Sequence, residues 1–266
     1  MNQHSQEIIA GDRFKFGENW LSFLRVLNDK RIVEAEKSLK TLLEVDSLEG
    51  KSFLDVGSGS GLFSLAARRL GARVHSLDYD PQSVACTREL KLRYFPNDGQ
   101  WIIDEGSVLD EKYLNALGTF DIVYSWGVLH HTGAMWTAME NIAPLVARGG
   151  KLYIAIYNDQ ILVSSYWKLI KKLYNNNKVL RFAILLVHIP YFYGVVLAYK
   201  VITRQKKLSR RGMSYWHDLK DWLGGWPFEV AKPESIFDFY RERGYTLSRM
   251  KTCGGKHGCN EFVFVR

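Results

Sequence analysis

Phe53-Leu54-Asp55-Val56-Gly57-Ser58-Gly59-Ser60-Gly61 reads as a short apolar strand that ends in a carboxylate and runs into three glycines at alternate positions. An apolar helix begins directly after it, at Leu62. Glycine lacks a Cβ, so main chain there can approach a ligand closely and adopt positive φ. The free N–H groups of a helix start lie just beyond. Nicotinamide and flavin enzymes use a related turn spaced G-x-G-x-x-G, whereas the spacing here is G-x-G-x-G. Asp55 precedes the first glycine, where it would repel a pyrophosphate and suit a cationic group.

A ligand carrying an amino group and a sulfonium centre fits such a carboxylate, which points to S-adenosylmethionine (SAM). Residues 73–78, RVHSLD, form a second strand ending in a carboxylate, 23 residues after Asp55. An acidic side chain there can accept both ribose hydroxyls, as in dinucleotide folds. Residues 120–125 read as a buried parallel strand, and residues 145–156 as a helix end, a glycine turn and another buried strand. Strand–helix alternation at this pitch predicts a parallel sheet with helices on both faces.

The stretches LDVGSGSG (54–61), SLDYD (76–80), FDIVYSWGVLHH (120–131) and ARGGKLYIAIYN (147–158) resemble, in order, the motifs of the class I SAM-dependent methyltransferases. The resemblance implies an α/β, doubly wound, Rossmann-like sheet of seven strands. The chain, 1–266, then reads as a single methyltransferase domain. It would comprise a helical N-terminal cap (12–49), a SAM-binding core (51–158), a basic and apolar helical insertion (159–231), and a closing helix and strand pair (232–266). A helical stretch is expected over residues 20–45, and a helix from Pro233 to about Gly244, with Pro at its start. One departure is the turn Gly106-Ser107-Val108-Leu109-Asp110, where the family often has an acidic residue near the adenine; Ser107 is expected to serve instead.

The tail further resembles the ubiquinone-biosynthesis O-methyltransferases. Tyr215-Trp216-His217-Asp218-Leu219-Lys220 looks like their His-Asp element, Lys232-Pro233 like their Lys-Pro, and Asn260 and Phe262 like their Asn-x-Phe. That likeness implies SAM contacts at Arg31, Gly57, Asp78 and Trp126. The full expected cofactor set is Arg31, Asp55, Gly57, Ser58, Gly59, Gly61, Asp78, Tyr79, Ser107, Val108, Ser125 and Trp126. It also implies O-methylation of a small or lipid-linked, polyprenyl-phenol-like acceptor. A departure follows strand four, where His130 and His131 stand in place of the family's acidic residue and histidine.

A hydroxyl acceptor usually has to lose a proton during transfer. His130, His131, His217, Asp218 and Glu229 are candidates for accepting it, with His217 beside Asp218 preferred because a carboxylate can orient the ring. Trp222, Trp226 and Phe228 could wall a flat or prenylated acceptor, or could be packing. Cys253, His257 and Cys259 sit around a glycine-rich turn, and the turn is preferred to a metal site. The odd number of cysteines without C-x-x-C spacing fits a reduced, cytoplasmic compartment, and the N-terminus has no signal-peptide pattern.

The charge is unevenly placed. Residues 160–217 hold eleven Lys and Arg and no Asp or Glu, whereas the whole chain carries +8, so the remainder is negative. Within that span, residues 182–199 are uncharged and apolar apart from His188 and Pro190. A single membrane span conflicts with strands that must return to the sheet. Two short apolar helices bent at Pro190 are expected, lying on an anionic membrane surface through 160–211 or covering the site. In the preceding helix, Val163, Tyr166, Trp167, Ile170, Leu173 and Tyr174 are expected on the apolar face, with Lys168, Lys171 and Lys172 off it. Two other classes stay open: an RNA methyltransferase, against which the apolar run argues, and a catalytically silent SAM-binding module.

Overall fold

The computed structural model describes residues 3–176, 178–203, 215–254 and 258–266. Seven strands form one sheet: β1 (Ser52–Val56), β2 (Arg73–Asp78), β3 (Trp101–Glu105), β4 (Phe120–Trp126), β5 (Val146–Tyr157), β6 (Thr246–Lys251) and β7 (Cys259–Val265). Their spatial order is β3-β2-β1-β4-β5-β7-β6. Only β7 runs against its neighbours, pairing antiparallel with both β5 and β6. The doubly wound, seven-stranded expectation is therefore met. The strand order reverses between β1 and β4, which opens a crevice beyond their carboxyl ends.

Alternation along β1 explains the two apolar layers. Phe53 packs with the helices α3 (Asp29–Leu43), α4 (Leu62–Arg69) and α5 (Pro81–Tyr94). Leu54 and Val56 face the opposite layer, which includes α7 (Met135–Ile142) and α11 (Pro233–Arg241). Asp55, two residues from Phe53, points to the α4 side and ends beside Ser64. Residues 129–131 and 143–145 form short 3-10 turns, and α6 (Glu111–Ala116) crosses between β3 and β4.

The N-terminal cap differs from the expected stretch over 20–45. It is three helices: α1 (Gln3–Ala10), α2 (Phe16–Leu24) and α3. The break comes from Asn28, whose extended backbone and side chain cap α3 by accepting from Arg31 N. The cap docks on the core where Gly17 N donates to Asp80 Oδ2 at 2.7 Å. Residues 145–156 were expected to be a helix end, a glycine turn and a strand; the 3-10 turn ends at Leu145, and β5 begins at Val146 and takes in the glycines.

The insertion holds α8 (Leu162–Asn176), α9 (Lys178–Thr203) and α10 (Tyr215–Gly224). The pair of helices expected to bend at Pro190 is instead one continuous helix, α9, with Pro190 inside it. Among the described residues, no helix is long and apolar enough to cross a membrane. The insertion has its own core around Trp167, Tyr174, Ile184, Leu219, Leu223 and Phe228. The buried stripe of α8 is Ser164, Trp167, Lys171 and Tyr174, so Lys171 lies inside the face from which it was expected to be absent. Val163 and Tyr166, expected inside, are exposed. The cations from Arg204 to Arg211, and His257 of the Cys253–Cys259 turn, lie outside the described residues.

Candidate active site

A cavity of about 890 Å³ opens over the carboxyl ends of β1, β2 and β4, roofed by α1 and α2. Asp55, Gly57, Ser58, Gly59, Asp78, Tyr79, Ser107, Val108 and Trp126 line it, as the sequence leads one to expect. Gly57 has φ of +81°, and a Cβ there would come within 2.4 Å of Val128, so only glycine lets the chain pass under that loop. Three expected residues lie elsewhere. Gly61 caps α4 from behind the cavity. Ser125 is buried and donates to Val56 O at 3.1 Å, tying β4 to β1. Arg31 turns back to Val26 O at 3.2 Å and lies over the Phe23 ring. Among the described residues, the Lys or Arg that does line the cavity is Arg13, held by Glu7, by His131 O at 3.1 Å and by the Tyr79 ring.

Asp55 is 2% exposed, yet its environment is built to hold it. Trp101 Nε1 donates to Ser76 Oγ at 2.9 Å, Ser76 to Ser64 Oγ at 2.7 Å, and Ser64 to Asp55 Oδ2 at 2.5 Å. This chain of buried donors fixes the carboxyl group and supplies no positive charge. Burial therefore pushes its pKa up to about 7, with the Ser64 hydrogen bonds opposing. Asp78 accepts Gly59 N at 2.8 Å on one oxygen and Asp80 N at 2.9 Å on the other. Burial raises it to about 7 as well. Each of its oxygens keeps a further lone pair for a hydroxyl donor. A buried carboxyl with no cation of its own, next to a second one with acceptor capacity left, suits the amino, sulfonium and ribose groups of SAM. The volume is also that of a small-molecule site.

The histidines separate once placed. His131 lines the cavity, and its Nδ1 lies 2.6 Å from Pro227 O. A carbonyl only accepts, so Nδ1 carries the proton and Nε2 keeps its lone pair. Burial and the nearby Lys171 and Arg13 charges pull the ring down to about 3, so it is neutral at physiological pH. Gly225 lets the main chain pack closely on the Cε1–Nε2 edge of the ring, since a Cβ there would meet Cε1 at 2.6 Å and Nε2 at 3.1 Å. His130 is fully buried instead. Its Nδ1 accepts Tyr157 N at 3.3 Å, and its ring lies 3.9 Å from that of Tyr157.

Of the preferred pair, His217 does not line the cavity. His217 is buried against α2, with Nε2 3.2 Å from Ser22 Oγ and its ring edge-on to Phe23. The Asp218 side chain is not among those described. One turn on, Asp221 and Trp222 do line the cavity, with Tyr157, Phe16 and Trp20. Asp221 is held there by Asn19 Nδ2 at 2.8 Å. Glu229 lies outside the cavity, accepting Met135 N at the start of α7. No spacing signal singled out Asp221 or Arg13, because each reaches the site only through the docking of the cap and the insertion.

This fold and this site are those of a class I SAM-dependent methyltransferase domain, whose cofactor is SAM. Residues 54–152 match the family model described as a methyltransferase domain. The chain is 31% identical over 112 residues to the ubiquinone biosynthesis O-methyltransferase of Rhizobium etli, covering 42% of this chain and 43% of that protein. It is 28% identical over 160 residues to the one from Methylocella silvestris, covering 54% and 60%. The matched stretches thus span about half the length of these curated relatives. In architecture the chain is similar to magnesium protoporphyrin IX methyltransferase from Synechocystis, at 16% identity, with 90% of this chain and 88% of that chain covered and a TM-score of 0.52.

Proposed function

We propose that this protein transfers a methyl group from SAM to a hydroxyl on a flat, apolar, lipid-linked acceptor that it meets at a membrane surface. One observation carries the reading: the insertion that walls the acceptor end of the cavity also presents an apolar outer face. Its inner side brings Asp221 and Trp222 to the cavity and packs on Tyr157. Its outer side exposes Leu162 (81%), Val179 (78%), Val187 (67%), Phe182 (64%) and Leu186 (60%), with the cations Lys168 and Lys172 on the same helix pair. Apolar groups flanked by cations suit an anionic lipid interface. Likeness to the ubiquinone relatives supports the acceptor class.

SAM, when bound, supplies an electrophilic methyl group. Asp55 would hold its cationic end and Asp78 its ribose. The aromatic groups Phe16, Trp20, Tyr157 and Trp222 exclude water and align the acceptor ring. His131 Nε2 accepts the hydroxyl proton, while Nδ1 stays bonded to Pro227 O, so the ring needs no reorientation. The test is to incubate the protein and methyl-tritiated SAM with a total lipid extract of bacterial membranes. Label in an organic-phase product, lost in His131→Ala, is the expected result. Label that stays with SAM, or that is found only in added RNA, would overturn the reading.

A further inference from the structure

Lys171 is a buried cation that the mechanism above does not use. It has no exposure to solvent, although it belongs to a helix whose other lysines face outward. Its Nζ donates to Trp222 O and lies 4.8 Å from the ring centroid of Phe228, 4.9 Å from Trp222 and 5.7 Å from Tyr157. One turn on, Asn175 Nδ2 donates to Gly224 O at 2.8 Å. Trp222 O and Gly224 O are among the last carbonyls of α10, the groups a helix leaves without internal partners. Two side chains of α8 therefore cap α10 from outside, one of them with a cation where the helix dipole favours it.

The residues just beyond this cap reach the catalytic end of the cavity. Gly225 packs closely on the Cε1–Nε2 edge of His131, and Pro227 O, three residues beyond Gly224, accepts the hydrogen bond from His131 Nδ1. The carbonyl that fixes the His131 tautomer hangs on the helix end that Lys171 pins. We propose that Lys171 is a positioning residue for methyl transfer: it locks the C-terminus of α10 and, through Pro227, the orientation of His131. This rests on the functional reading above.

The titratable groups around Lys171 are Asp221 on α10, Cys259 on β7, and the two histidines after β4. Burial pulls the amine down to about 7, with Asp221 and Cys259 acting the other way. Its cation also disfavours protonation of His130 and His131. Removing the charge should raise the His131 pKa, and releasing α10 should free its tautomer.

The experiment compares Lys171→Met, Lys171→Gln and Lys171→Arg by NMR of ring-labelled histidine, with His131→Ala assigning the signal. Lys171→Met should shift the His131 titration upward and mix its tautomers, while SAM affinity by calorimetry stays within about twofold of wild type. Lys171→Arg should restore a single tautomer. Label transfer from SAM to the lipid extract should fall about 10²-fold in kcat for Lys171→Met, as for a misplacement of about 1 Å, with the KM for SAM unchanged. Should Lys171→Met not fold, Lys171→Gln decides, because it keeps a donor for Trp222 O without the charge. An unaltered His131 titration and tautomer in folded Lys171→Met, or an unaltered titration in Lys171→Gln, overturns the proposal. A wild-type protein that labels no lipid overturns the functional reading alone, because the NMR arm needs no acceptor.

Discussion

The free-site pKa of Asp55 leads to a measurable coupling between protons and SAM. The carboxyl is neutral for much of its population below pH 7, because burial raises it to about 7 and only neutral donors reach it. A bound cation reverses that, so binding must expel the proton. The free site's protonation factor, 1 + 10^(pKa − pH), rises from about 2 at pH 7 to about 100 at pH 5, so SAM affinity should fall about fiftyfold across that window from Asp55 alone. The ligand's own α-amino group titrates near pH 8 and stays charged throughout. Asp78, also raised to about 7, adds a second proton if ribose hydroxyls favour its ionised form.

The sign of the stability change separates this from acid unfolding. A carboxyl whose folded pKa exceeds its unfolded value binds a proton in the fold, but not in the unfolded chain, between the two values. The ligand-free protein should therefore gain stability as pH falls from 7 toward about 4, by up to about 1.4 kcal/mol per unit for each such group. SAM affinity falls over the same range. Calorimetry in two buffers of different ionisation enthalpy counts the protons: about 0.9 released at pH 6 for Asp55, more with Asp78. Asp55→Asn should remove one proton from the count. S-adenosylhomocysteine keeps the amino group and lacks the sulfonium charge. An unchanged slope with it assigns Asp55 to the amino group. Affinity that is flat from pH 5 to 7, with no protons released, would refute the coupling.

Asp78→Ala should weaken SAM by about 1–3 kcal/mol in titration calorimetry while the fold is kept, since the ribose hydroxyls lose their acceptors. His131→Ala should lower turnover by about 10²–10⁴ with SAM affinity unchanged. His217→Ala should instead leave turnover near normal and lower the melting temperature, because that ring packs on Phe23 and Ser22. Leu186→Glu combined with Phe182→Glu should reduce flotation with anionic vesicles without changing SAM affinity. High salt should weaken wild-type flotation and not abolish it, because apolar contact is not screened.

The fold was legible because its determinants are local. β2 falls on the predicted residues, and α4 begins at the predicted Leu62, since each is set by an apolar run and a glycine turn a few residues long. The break between α2 and α3 escaped the periodicity because Asn28 acts through a cap, which interrupts a helix without interrupting its hydrophobic pattern. Lys171 escaped for the opposite reason. Periodicity places lysine on a solvent face, and only the carbonyls at the end of α10 and three aromatic rings, more than fifty residues on for Trp222 and Phe228, make a buried site for it. Nine of the twelve residues expected to meet the cofactor line one cavity for the same local reason, whereas Arg13 and Asp221 depend on how distant helices dock.

His217 shows where chemical adjacency misleads. A histidine beside an aspartate satisfies the general rule for an oriented base, but adjacency in sequence does not say which face of a helix meets the cavity. The α10 residue that reaches the cavity beside Trp222 is Asp221, one turn beyond His217, while His217 turns to the cap. In His131 the orienting group is a backbone carbonyl, which carries no sequence signature at all. That choice has a chemical consequence. A carboxylate partner would raise the ring's pKa and stabilise its cation, whereas a carbonyl fixes the tautomer and leaves the pKa low in a buried site. In the proposed reaction such a ring would take up the proton only as the methyl group moves and the acceptor hydroxyl, gaining positive charge at oxygen, becomes acidic. In the proposed mechanism catalysis rests on alignment in a dry cavity more than on basicity, and so the rate at saturating SAM should respond more to the packing of α8 on α10 than to the titration of His131.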